Sequence, residues 1–263
     1  MKEPEQTNGV LESSPSAENT VDQVRLYHRT KIKRIREIMR HGLLPGQGYV
    51  GHYGISDYLL DRFAPEQFKE IGLLRKNVIF AWYVARDEIG PLAGKRTTVS
   101  VDVQKARVFI SDHHKSGVAI DGISAIYHAA FVEELQASNV SLKSRVQERS
   151  SRILSERLFE EDAVLKVFEG SPEKIRTAMQ EMVSRLRAKM LRIGKPLAEA
   201  YWENIVPFSE FERDYRPNIA NNWVSPNNKL VFYYPEAMII GAVNPHQLEV
   251  ISDHDPLFPT KVN

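Results

Sequence analysis

Two residues far apart in the chain are of the types that chemistry on a positively charged intermediate requires. His28 stands in Val24-Arg25-Leu26-Tyr27-His28-Arg29-Thr30, where a polar triplet closes a short apolar strand. Glu236 opens the otherwise apolar run Pro235-Glu236-Ala237-Met238-Ile239-Ile240, just after Tyr233 and Tyr234. A carboxylate at the edge of a sheet can accept from ribose hydroxyls and stabilise a developing oxocarbenium ion by charge. A histidine can donate to a second hydroxyl and position a ligand without being the base. The same residue types also suit a half-buried strand histidine and a glutamate that caps or pairs. Composition leaves both readings open.

Other chemistries are narrowed by what the chain lacks. It contains no cysteine, which removes disulfides, cysteine zinc sites and thiol nucleophiles. Asp112-His113-His114 and His128 raise the question of a metal. HExxH is absent, and adjacent histidines on an extended chain face opposite ways, so these residues are read as a solvated polar loop and no metal is expected. No GxSxG elbow anchors a serine hydrolase. Gly46, Gly48, Gly51 and Gly54, with Tyr49, His52 and Tyr53 between them, form a loop with stacking surface that suits either a plain turn or a ligand cover. It matches neither a P-loop nor a Rossmann turn.

The elements that must position these residues follow from periodicity. The 263 residues carry a net charge of +1, so no global field points to nucleic acid or membrane. No apolar run reaches the roughly 18 residues that span a bilayer, and no signal core is present, so a cytoplasmic protein is expected, with a secreted effector left open. Residues 1–22 are acidic and rich in Ser, Pro and Asn, and are expected to be a disordered tail. A strand over 24–27 leads to a helix over 31–41, with Thr30 as its N-cap and Gly42 closing it. Ile32, Ile35, Ile38 and Met39 form its apolar stripe. Lys31, Lys33, Arg34, Arg36 and Arg40 form a basic face that is either simply solvated or open to phosphates.

Further along, a helix is expected over 56–74, a strand over 78–84 and another over 97–103, with 107–110 extended after a short turn. From about 124 to 205 the signal is helical. Ser171-Pro172 opens a long helix that Gly194 and Pro196 should end, with Met179, Met182 and Met190 packed in its core face. Strands resume at 229–234, 237–240 and 248–251. Early strands, late strands and helices between them make an α+β domain without βαβ periodicity.

Several of these pieces together resemble the ADP-ribosyltransferase superfamily, in its diphtheria-toxin-like branch and the DNA-modifying toxins similar to it. They are Leu26-Tyr27-His28-Arg29-Thr30, the helix ending at Gly42-Leu43, a paired strand from Thr98 to Ile110, and Tyr234-Pro235-Glu236 through Ile251. The resemblance implies a split, mixed or antiparallel sheet core over residues 23–263, with the helical stretch of about 124–205 inserted as a subdomain. It implies an enzyme that uses NAD as substrate, with Glu236 catalytic and His28, Arg29 and Thr30 binding the dinucleotide. Tyr83 is the implied platform for nicotinamide, with Tyr53 and Tyr58 as competitors. The absence of an Arg, Ser-Thr-Ser and Glu-x-Glu set argues against the arginine-modifying branch. The acceptor is then a protein side chain or a nucleobase. The basic helix 31–41 favours DNA or RNA, and the helical insertion is the place for the acceptor site or a protein partner. Two rivals stand beside this. One is an NAD-dependent RNA 2′-phosphotransferase, for which Arg25, Arg29 and Arg96 are the phosphate-binding candidates. The other is a non-catalytic binding module on the same scaffold.

Overall fold

The structure is a computed structural model that describes residues 22–46, 54–83, 96–138, 168–218, 222–227 and 230–251. The expected tail, Tyr53 with the glycine loop from 47 on, and the middle of the helical block lie outside the described residues. Within them the protein is mixed helix and antiparallel sheet, an α+β arrangement.

The first strand, β1 (Gln23–Lys31), is longer than its apolar part because polar residues continue its alternation. Thr30 is therefore a buried strand residue and not a helix cap. Lys31 leads through a single 3-10 turn (Ile32–Arg34) into α1 (Ile35–His41), without a side-chain cap. Gly42 closes α1 as expected, with φ of 86° and its N–H bonded to Ile38 O. A side chain at Gly42 would place its Cβ 2.1 Å from Val243 O, so only glycine allows Leu43 and Val243 to bridge.

The stretch expected as one helix over 56–74 is two, α2 (Gly54–Arg62) and α3 (Glu66–Glu70), separated before Pro65, whose ring disfavours a helical residue ahead of it. A 3-10 turn (Arg75–Asn77) then enters β2 (Val78–Trp82). Next come β3 (Arg96–Gln104), a 3-10 turn (Lys105–Arg107) and β4 (Val108–Asp112). Helix α4 (His113–Ala137) begins directly at the end of β4, eleven residues before the expected helical block. Helix α5 (Pro172–Trp202) has the Ser171 cap and leading proline that the sequence announces. It does not stop at Gly194 or Pro196. The buried stripe continues through Met190, Gly194, Ala198, Tyr201 and Trp202, and packing on that face outweighs one lost main-chain bond. Gly194 leaves room for Leu59 of α2, since a Cβ there would lie 3.3 Å from Leu59 Cδ1. The remaining elements are β5 (Val206–Pro207), α6 (Phe208–Asp214), β6 (Arg216–Pro217), β7 (Trp223–Val224), β8 (Val231–Phe232), β9 (Pro235–Ile240) and β10 (Leu248–Ile251).

Seven strands form one sheet in the order β10-β3-β1-β2-β9-β4-β5, and β6-β7-β8 form a second. β3 and β4, expected as a pair, do not pair: three other strands lie between them. In a flat sheet four strand spacings would hold them about 19 Å apart. The chain from Gln104 to Val108 can reach at most about 14 Å, and less when wound as a 3-10 turn. The sheet must therefore curl until its two halves face each other. The core agrees, because Val99, Val101 and Val103 of one half share a cluster with Val108, Ile110, Ala237 and Ile239 of the other. A second core lies outside, where Val78, Phe80, Phe109 and Met238 meet α2, α3, α4 and α5. The three methionines of α5 are packed in it.

Candidate active site

Register decides which side chains can meet. Glu249 lies opposite Ser100, Ser100 opposite Tyr27, Tyr27 opposite Trp82, Trp82 opposite Glu236, and Glu236 opposite Ser111. Paired positions share a face of a sheet, so these residues form one row. Met238 and Phe80, two positions along from Glu236 and Trp82, belong to the core beneath the helices. The row therefore lies on the outer face, and its β2-β9-β4 part runs beneath the helices. His28 is one residue past Tyr27, opposite Val99, which belongs to the inner core. Strand alternation sends His28 and Glu236 from opposite faces, and no contact joins them.

Glu236 is held from above. Its side chain is 12% exposed, and Oε1 lies 3.1 Å from His113 Nδ1, at the first residue of α4. A carboxylate oxygen accepts, so Nδ1 donates. That hydrogen bond raises the affinity of the imidazole for a proton against the opposing effect of burial. The ring meets Trp82 edge to face, with centroids 4.8 Å apart. The position of His113 is set by Asp112. Oδ1 of Asp112 accepts from the amides of His114 and Lys115, and Oδ2 accepts from the Tyr233 amide. The His113 amide bonds Tyr234 O at 2.9 Å. One buried carboxylate thus fixes both the start of α4 and the approach to Glu236. Oε2 of Glu236 has no partner among the described residues and is not one of the fully buried orphan atoms, so it keeps some access to solvent.

Behind this pair stands a buried arginine. Arg75 Nε bonds Asp57 Oδ1 at 2.5 Å, and a terminal nitrogen bonds the Tyr201 hydroxyl at 2.7 Å. Its guanidinium covers the Phe80 ring at 4.6 Å. Asp61 accepts from the Arg75 and Lys76 amides and so holds the turn that presents the side chain. Burial opposes the charge on Arg75, but Tyr201 and Asp57 outweigh it and keep the group protonated. Burial raises the Tyr201 hydroxyl, although Arg75 pulls the other way. Tyr201 comes from α5, and its hydroxyl also reaches Met238. The helical block supplies walls of the site as well as covering the sheet.

The other residues singled out from sequence lie elsewhere. The imidazole of His28 bridges the seam between the half-sheets, its Nδ1 2.8 Å from Phe80 O. Among the described residues β1 and β2 pair only at Tyr27 and Trp82, and this side-chain bond follows where a further rung would be. A carbonyl only accepts, so Nδ1 carries the proton; burial lowers the ring's pKa and keeps it neutral. Nε2 of His28 is thus an acceptor, which corrects the expectation that it donates to a ribose hydroxyl. Arg29 lies opposite Thr98, and Thr30 is buried opposite Thr97. Tyr83 packs edge to face against Phe208, Phe211 and Trp223 on the inner side, away from Glu236. Trp82, its neighbour, occupies the row of Glu236 instead. Tyr58 lies on α2 at the margin of the helical core.

Arg25 forms a two-pronged pair with Asp102 on the outer face of β1, which leaves it poorly placed to hold a phosphate. The five basic residues of 31–40 are all exposed. They follow the end of β1, and Gly42-Leu43 meets Val243 beyond the far end of β9. From Glu236 to Ile240 alone the strand covers about 13 Å, so this basic face and the carboxylate lie at opposite ends. Among the described residues no cluster of three His, Asp or Glu is placed to hold a metal, and no helix is long and apolar enough to cross a membrane.

Sequence reasoning missed His113, Trp82, Arg75 and Tyr201. A signal existed for the first: Asp112 followed by a helix-compatible run is an N-cap, which turns the polar loop into the start of a helix. For the other three only the register and the packing of α5 identify them. No protein-family model, no curated protein and no solved structure matches the chain.

Proposed function

We propose that this protein transfers ADP-ribose from NAD to a macromolecular acceptor and releases nicotinamide. The observation that carries the reading is Glu236: nearly buried at the start of β9, with one oxygen held by His113 and the other without a hydrogen-bond partner among the described residues. A carboxylate fixed in a low-dielectric wall stabilises positive charge far better than one in water. Glu236 Oε2 would accept from a hydroxyl of the nicotinamide ribose and stabilise the sugar cation as the glycosidic bond breaks. Trp82, and not Tyr83, would flank the nicotinamide, because it shares the row of Glu236. His28 leaves β1 from the opposite face, so it would accept through Nε2 only from a distal part of a dinucleotide that passes through the seam between β1 and β2. The seam between β1 and β2 and the order of elements support the transferase resemblance.

The test is release of nicotinamide from NAD by the purified chain, compared with Glu236→Gln. The expected result is a fall of about 10²-fold or more in turnover, with the melting temperature nearly unchanged. Equal turnover in the two proteins would rule the mechanism out. If neither protein releases nicotinamide, a binding module is the better account.

A further inference from the structure

His113 does more than hold Glu236. Nδ1 donates to Oε1, and a neutral imidazole with a proton on Nδ1 has a lone pair on Nε2. The side chain is 53% exposed, and Nε2 has no hydrogen-bond partner among the described residues. Because Nδ1 is turned to the carboxylate, Nε2 lies on the far side of the ring from Glu236. An acid that orients an imidazole and stabilises the imidazolium, with the far nitrogen free, is an arrangement suited to proton abstraction.

We propose that His113 is the proton acceptor of this site, taking the proton from the attacking nucleophile through Nε2 while Glu236 holds Nδ1. The proposal rests on the ADP-ribosyl-transfer reading. Glu236 must stay ionised to stabilise the sugar cation, so it is a poor choice for the base; a separate group bonded to it keeps both roles compatible. In the balanced step, the bond between C1′ and the nicotinamide nitrogen breaks and its electron pair leaves with nicotinamide. The nucleophile's lone pair forms the new bond to C1′, its proton moves to Nε2, and His113 then returns that proton to water. The half-exposed ring permits that return. The substrate class implied is an acceptor whose reacting atom keeps its proton at neutral pH, an O–H or an amide-type N–H.

The surroundings of His113 set the direction of its titration. Glu236 on β9 and Asp112 at the head of α4 favour the imidazolium. Burial and Arg75, at the turn before β2, oppose it, as does the positive end of α4. The net effect is upward, so the base form is lost as pH falls through a value above the ordinary imidazole range.

Water serves as the acceptor in the test, which removes the need to know the natural one. NAD hydrolysis is followed by nicotinamide release from pH 5 to pH 9 in the wild-type chain and in His113→Asn, whose amide can still donate to Glu236 but cannot take a proton. The expected outcome is a fall of about 10²-fold or more in kcat and loss of the acidic limb of the profile. Independently, NMR titration of the His113 ring should give a midpoint above 6.5 that drops in Glu236→Gln. An active wild type beside an equally active His113→Asn with the same acidic limb overturns this proposal alone. So does an imidazole midpoint that Glu236→Gln leaves unmoved. A wild-type chain that releases no nicotinamide overturns the transfer reading and this proposal together.

Discussion

The two faces of the curled sheet carry similar residue types but differ in what covers them. The inner face is closed by the opposite half-sheet and by α6, and its aromatics pack on one another: Tyr83 against Phe208, Phe211 and Trp223, and Phe211 stacked on Tyr215. The outer face is closed by helices whose ends bring polar groups, His113 from α4 and Tyr201 from α5, with Arg75 from the turn before β2. An aromatic on the inner face is therefore a packing element. One on the outer face at the edge of the helices, such as Trp82, borders charged groups. Adjacent residues, Trp82 at the end of β2 and Tyr83 at the bend that follows, fall into opposite roles because their side chains leave the backbone on opposite sides.

The comparison can be broken or sharpened by substitution. The largest effect on activity is expected for the outer carboxylate. Glu236→Gln should lower nicotinamide release by about 10²-fold or more, whereas His28→Gln should act chiefly on the KM for NAD. If His28→Gln proves the more damaging to kcat, the seam and not the outer face is the reacting centre. Next in size is the buried arginine. Arg75→Met leaves Asp57 without its partner and removes the guanidinium from two aromatic rings; a loss of about 3 kcal/mol is expected in urea denaturation.

A smaller contrast separates the neighbours. Trp82→Leu should raise KM with little change in melting, and Tyr83→Leu should lower stability by about 1–2 kcal/mol with KM unchanged. The reverse pattern would restore Tyr83 as the nicotinamide platform. The smallest effect is that of pH on His28. Its folded-state pKa is lowered, so its contribution is complete above about pH 6.5, the unfolded value, and is lost as pH falls from there through the folded value. His28→Gln should flatten that part of the stability profile, measured as urea midpoints between pH 7 and 5.

Much of the chain was legible without coordinates. Period-two alternation marked β3 and the start of β1, Gly42 marked the end of α1, and Ser171-Pro172 marked the start of α5. These signals are local: a propensity, a cap or a backbone angle acts within a few residues. Errors arose where a distant element overruled a local signal. Gly194 and Pro196 read as a stop, yet the face they share with Met190, Ala198 and Tyr201 is buried against α2 and the sheet, and the helix continues. Asp112-His113-His114 read as a solvated loop because nothing nearby in sequence shows that Asp112 also accepts from Tyr233, 121 residues away.

By itself the sequence determined the α+β composition, the identity of the lone carboxylate in an apolar late strand, and the absence of thiol chemistry. Tertiary structure alone decided which groups meet that carboxylate. The row from Glu249 to Ser111 depends on the register of six strands, and a shift of one residue would send Glu236 to the other face. His113 reaches it only because α4 starts where β4 ends, directly beside β9. Register and helix docking are set by long-range packing, which no short window of residues contains.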